Sequence, residues 1–135
     1  MAIITKIEEF NDGCIDGNGG FRVYLDDGEV IKLWLNIQGS CCETFGYFMS
    51  EDDVTSFVGA EVLSVERVDT ALNVSRVEVQ LQKEGCCGFD EGGIMFVNVN
   101  TNQGVLQFVA YNSHNGYYGH MAGVVSRYHT EEECL

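Results

Sequence analysis

The sequence predicts a mostly β domain of α+β character. We expect a compact antiparallel sheet, sandwich or barrel-like fold of about eight strands with one short helix, filling residues 1–135 as a single domain. Three observations carry this expectation. Apolar and polar side chains alternate over several short runs, which is the period of a strand. Glycine, asparagine and aspartate gather between those runs, with 16 glycines and no proline in the chain. An apolar share of 45% in 135 residues suffices for one core, and no repeat, low-complexity stretch or linker divides it.

The elements follow in order. Residues 3–10 read as a strand and 11–20, NDGCIDGNGG, as a glycine-rich loop. Residues 21–25 and 29–37 flank Asp26-Asp27-Gly28, and an Asp-Gly step between apolar runs is a strong hairpin signal. In the second of these strands Ile31, Leu33, Leu35 and Ile37 share one face, while Val30, Lys32, Trp34 and Asn36 share the other. A helix is expected after Ser50, which can cap it, with Asp53 completing a capping box. Val54, Phe57 and Val58 form its apolar face and Gly59 ends it. Residues 61–68 and 75–82 read as strands, the latter alternating Val77, Val79 and Leu81 with Arg76, Glu78 and Gln80. After a loop at 83–93, residues 94–100 and 105–112 form a hairpin over Thr101–Gly104. A loop at 113–120, a last strand at 121–129 and an acidic tail, Glu131-Glu132-Glu133, complete the chain.

Charge narrows the partners. With 21 Asp and Glu against 7 Lys and Arg, the net charge is −14. Such a surface repels phosphate backbones and anionic bilayers, so neither nucleic acid nor a membrane is an expected partner. No apolar stretch is long enough to span a bilayer. Lys6, Glu8 and Glu9 interrupt the first ten residues, which therefore do not read as a signal peptide. A reducing cytoplasm follows as the expected compartment, and the six cysteines do not read as a disulfide framework. Cys41-Cys42 and Cys86-Cys87 are moreover adjacent in sequence.

Two segments could carry a site. In Ser40-Cys41-Cys42-Glu43, extended backbone would turn Cys41 and Glu43 to one side and Cys42 to the other. The alternative is a pair of small buried thiols. In residues 113–120 two histidines, an amide and two phenols stand together as His114, Asn115, Tyr117, Tyr118 and His120. Phenols stack and hydrogen-bond, and an asparagine amide reads a base edge. The alternative is a hairpin loop whose Asn115-Gly116 step supplies positive φ. A metal on Cys41, Cys42, His114 and His120 fits no standard zinc spacing, and no cofactor is expected. A Cys41–His114 nucleophilic pair rests on residue type alone. The start of an EF-hand suggested by Asp16, Asn18 and Gly20 fails at Phe21, where glycine is required. His129, beside the acidic tail, reads as a surface residue.

Several stretches together carry a resemblance. They are Cys41-Cys42-Glu43, Asp52-Asp53-Val54, Val58-Gly59-Ala60-Glu61-Val62-Leu63, Phe96, Thr101, Gly104-Val105 and Asn115-Gly116-Tyr117-Tyr118. Over residues 20–128 the chain resembles an uncharacterised family of small phage and prophage proteins with a Cys-Cys-Glu motif and an Asn-Gly-Tyr-Tyr loop. His114 and Gly119 stand where that family has serine, and Gln38-Gly39-Ser40 departs from its run before the cysteines. The resemblance implies one β-rich domain of viral origin, working in the host bacterial cytoplasm.

These observations lead to a binding protein as the expected function. The first expectation is a counter-defence protein that sequesters a nucleotide-derived immune signal without cleaving it. Its ligand-binding residues would be Cys41, Glu43, His114, Asn115, Tyr117 and Tyr118, with Arg22, Arg76 or Arg127 pairing the phosphates. A homo-oligomer would help build such a pocket. The alternative is an acidic inhibitor that docks on a basic nucleic-acid-binding host protein through Asp26, Asp27, Glu51, Asp52 and Asp53. A small metal-binding or cysteine-dependent protein is the third reading.

Overall fold

The hairpin signals and the alternating runs become two antiparallel sheets. A computed structural model describes residues 2–11, 17–37, 44–51, 53–72, 74–83, 93–113 and 121–135. Within these, the side chains of 44, 45, 76, 80–83 and 113 are outside the description. Among the described residues there are nine strands: β1 (Ile4–Asn11), β2 (Asn18–Leu25), β3 (Val30–Asn36), β4 (Thr44–Met49), β5 (Val62–Val68), β6 (Gly93–Thr101), β7 (Gly104–Ser113), β8 (Met121–Val125) and β9 (Thr130–Cys134). One sheet has the order β1-β2-β3-β8-β9 and the other β4-β7-β6-β5.

The period-2 pattern decides which side of each strand enters the core. Val23, Leu25, Ile31, Leu33, Leu35, Ala122 and Val124 line the inner face of the five-stranded sheet. Met49, Val62, Val65, Met95, Val97, Val99, Leu106, Phe108 and Ala110 meet them from the four-stranded sheet. The two sheets are also joined along their edges. The amide of Ile4 donates to the Ala60 carbonyl and that of Val62 to Ala2. At the other end of β5, Arg67 forms ion pairs with Glu131 (3.2 Å) and Glu133 of β9. Since β1 and β9 are opposite edges of the five-stranded sheet, β5 crosses that sheet from edge to edge.

The structure corrects the expected elements in four places. Residues 75–82 are not a strand but lie within the helix α1 (Val74–Lys83). Val77 is buried against Phe48, Phe96, Val109 and Tyr111 on the outer face of the four-stranded sheet, whereas Val79 is 55% exposed. A strand would have placed both on one face. Valines at 74 and 77 and leucine at 81 also suit a helical stripe, and an apolar sheet face needed a cover.

The helix expected after Ser50 is a single 3₁₀ turn, Val54–Phe57, capped by Asp53. Ser50 is instead buried, exchanging hydrogen bonds with the Gln107 backbone. The uncharged run Thr44–Met49, given no element in advance, is strand β4. The strand expected at 121–129 stops at Val125. A turn organised by the Ser126 hydroxyl follows, and the acidic tail returns as β9.

Candidate functional site

Two connections switch the chain between sheets: residues 38–43 from β3 to β4, and 114–120 from β7 to β8. Cys41, Glu43, His114, Asn115, Tyr117 and Tyr118 all fall in these segments and lie outside the described residues. Their attachment points are described. Thr44 and Ser113 are register partners at the end of the β4–β7 ladder, so both segments join the sheet at paired positions.

The three arginines expected to serve one ligand stand in three places. Arg22 is on the outer face of β2, its guanidinium 4.1 Å from the centroid of the Phe10 ring and 3.7 Å from Glu8. Arg76 belongs to α1, across the four-stranded sheet, with its side chain outside the description. Arg127 lies in the β8–β9 turn, where its guanidinium bonds Asp27 and its amide donates to Glu29. That turn is at the end of the sheet opposite the sheet-switching segments.

Three of the five carboxylates expected on one face have structural duties. Asp26 accepts the Ile3 amide, Asp27 holds Arg127 and the Glu29 amide, and Asp53 caps the 3₁₀ turn. Asp27 is accordingly held below the usual carboxylate range, first by the Glu29 amide and then by Arg127. Asp52 lies outside the described residues.

Glu51, the remaining carboxylate, borders a cleft of about 330 Å³ between β1 and β4, lined by Glu9, Phe21, Tyr47, Phe48, Met49, Glu51 and Val54. Alternation along β4 builds it. Phe48 turns outward to Tyr111, with ring centroids 6.1 Å apart, and Tyr47 turns inward. The Tyr47 ring meets the edge of Phe21 at 5.7 Å and 90°, and lies 6.2 Å from Phe108. Gly19 makes room for it, because a Cβ there would stand 2.9 Å from Tyr47 Cε1.

The Tyr47 hydroxyl donates to Glu9 Oε2 at 2.9 Å, with the Phe10 carbonyl 3.2 Å away as a second acceptor. Burial pushes its pKa far above the phenol range, and the hydrogen bond to the anionic Glu9 adds to this. At ordinary pH the cleft therefore offers a neutral phenol, two carboxylates and aromatic walls. It has room for a planar ring with N–H groups on its edge, at the small end of ligand-site volumes.

Among the described residues no group of three His, Cys, Asp or Glu side chains is placed to hold a metal, and the described cysteine, Cys134, is a free exposed thiol. No described helix is long and apolar enough to cross a membrane. His129 is half-buried, its Nε2 3.2 Å from Glu131 Oε1.

A family described as a domain of unknown function, DUF7448, matches residues 2–124. The chain belongs to that family. No curated protein and no solved structure matches it. The DUF7448 match takes in β1 to β7 and all but the last residue of β8, and so every residue lining the cleft. Sequence reasoning missed Glu9, Phe21 and Tyr47 as site residues. Their signal was available in part: Gly19, Phe21 and Tyr47 sit in runs where period 2 would turn them to one side, but the fold alone brings β1, β2 and β4 together.

Proposed function

We propose that this chain is a binding protein that captures a small nucleotide-derived ligand by its base and does not cleave it. The observation that carries the reading is the Glu9 carboxylate, fixed by the Tyr47 phenol at the mouth of a cleft walled by Phe21 and Tyr47. A carboxylate accepts two parallel N–H bonds from a guanine-type edge, and aromatic rings hold a planar heterocycle by face or edge. Among the described residues the cleft lining contains no Lys or Arg, so phosphates would point out of it. The resemblance to phage proteins gives this binding a setting: sequestration of an immune signal in the host bacterial cytoplasm, as counter-defence.

Calorimetry and native mass spectrometry against guanine and adenine mononucleotides, cyclic dinucleotides and ADP-ribose test the reading. Guanine-bearing ligands should bind, and Glu9→Gln should weaken them by at least about tenfold, since a charge-assisted pair is lost. Silence across the panel ends the proposal.

A second reading is favoured by the same two carboxylates. Glu9 and Glu51 would equally accept a lysine or arginine from a basic host protein, with the stem against Phe21 and Tyr47. In that case Glu9→Gln and Glu51→Gln would abolish capture of the host protein while every nucleotide stays unbound.

A further inference from the structure

The four-stranded sheet has α1 over its outer face, but no described element covers the outer face of the five-stranded sheet. Register places there Lys6, Glu8 and Phe10 of β1, Arg22 and Tyr24 of β2, Val30, Lys32 and Trp34 of β3, Met121, Gly123 and Val125 of β8, and Thr130, Glu132 and Cys134 of β9. Among the described residues three cations stand on this face, Lys6, Arg22 and Lys32, against two carboxylates, Glu8 and Glu132. Two copies of a −14 chain therefore repel each other less across these described residues than the net charge alone implies. The middle of this face is apolar. Val125 is 47% and Met121 37% exposed, and the Trp34 indole lies over Gly123, where a Cβ would be 2.9 Å from the ring. Beside the indole is a hollow of about 310 Å³ lined by Trp34, Val124, Val125, Thr130, Glu131 and Glu132.

The charges are also unevenly spread. Lys6, Arg22 and Lys32 occupy the β1–β2–β3 side with one carboxylate, Glu8, paired to Lys6 and Arg22, and both Arg22 and Lys32 are drawn over the Phe10 ring. Glu132 occupies the β9 side. We propose that this face is an interface for a second copy of the chain, packed by a two-fold axis running along the strands between β3 and β8. Such an axis sets β2 of each copy over β9 of the other. Arg22 and Lys32 of one copy then approach the hollow holding Glu132 of the other, and the two Trp34 indoles, each lying over Gly123 of its own chain, meet near the axis. The contact is self-complementary and closes, as a two-fold interface must.

Its size sets its strength. Four strands about 4.8 Å apart and seven residues of β3 rising about 3.3 Å each give a footprint of roughly 440 Å² before corrugation. Standard stable interfaces bury about 800 Å² per partner. The dimer is accordingly weak and depends on concentration.

Sedimentation velocity over a wide concentration range, at physiological ionic strength, tests the proposal. The wild type should pass from monomer to dimer. Val125→Arg should weaken the dimer by at least about tenfold by setting a cation against Arg22 and Lys32 of the second copy. Lys32→Glu should do the same, and combining it with Glu132→Lys should restore association. Circular dichroism checks that each variant keeps the fold, which these outward positions should not disturb. A chain that stays monomeric at every concentration, or a dimer indifferent to Val125→Arg and to the charge exchange, overturns the proposal.

Discussion

Replacing Tyr47 by phenylalanine removes one hydroxyl and leaves the ring between Phe21 and Phe108. A hydrogen bond to a charged acceptor contributes roughly 1.5–3 kcal/mol, but Glu9 is exposed and water replaces much of the loss. At neutral pH we therefore expect a destabilisation of about 1 kcal/mol, or a fall in Tm of roughly 3–5 °C for a domain of this size.

Alkaline pH separates this hydroxyl from a merely convenient one. The folded chain holds the Tyr47 proton far above the phenol range, whereas the unfolded chain releases it near pH 10. The stability it contributes is thus present below about pH 10 and is lost as pH rises beyond it. At about pH 11 the loss amounts to about 1.4 kcal/mol, from one group whose unfolded form is roughly nine-tenths ionised. Tyr24 shifts the same way, chiefly through its bond to Glu8, but it is present in both proteins and cancels between them. Urea unfolding at about pH 8 and pH 11 should show the wild type losing about 1.4 kcal/mol more than Tyr47→Phe between the two conditions. Equal losses in the two proteins would refute the assignment of a buried, proton-retaining phenol to the cleft.

Other substitutions test the frame around the cleft. A Cβ on Gly20 would lie 1.8 Å from the Leu33 carbonyl oxygen at φ +151°, so Gly20→Ala should cost more than about 4 kcal/mol or prevent folding. Gly28→Ala, at φ +90° with open space around it, should cost only about 1 kcal/mol by the same urea assay. Arg67→Met removes the link between β5 and β9 and leaves Glu131 and Glu133 facing each other. With all three side chains about a third exposed, we expect a loss of about 1–2 kcal/mol. Gln107, buried on β7, donates to Thr70 and Asn98 and accepts the Leu72 amide. Gln107→Leu should cost about 2–3 kcal/mol and speed hydrogen exchange at Leu72.

Much of the fold was legible because strands with one buried face write that face into the sequence. The Asp26-Asp27-Gly28 turn and the alternation in β3 were read correctly, as was the hairpin of β6 and β7. The failures have physical causes. Val77, Val79 and Leu81 satisfy the strand period, while Val74, Val77 and Leu81 satisfy the spacing of a helical stripe. What separates the two is the bare outer face of the four-stranded sheet, a tertiary fact. The tail Thr130–Cys134 reads as a solvated charge run, yet every second acid faces Arg67, which lies more than sixty residues earlier. The cleft was hidden for the same reason: Glu9, Phe21 and Tyr47 come from three strands of two sheets, and no local spacing joins them.

The acidity can now be divided rather than read as a single signal. Asp26, Asp27, Asp53, Glu131 and Glu133 bond backbone amides or cations that the fold requires. Glu8 gathers Lys6, Arg22 and the Tyr24 hydroxyl into one network on the outer sheet face. Glu9 and Glu51 stand apart from these, because they face a cleft with no cation among the described residues that line it. Glu9 bonds the Tyr47 hydroxyl, and both carboxylates add to the repulsion of an already acidic chain. Neutralising the structural acids should therefore destabilise the chain, while Glu51→Gln should leave it as stable or slightly more so. That sign separates Glu51 from the acids the fold requires, and it is readable by urea unfolding before any ligand is known. A clear loss of stability in Glu51→Gln would instead return Glu51 to the structural group and leave Glu9 alone to carry the site.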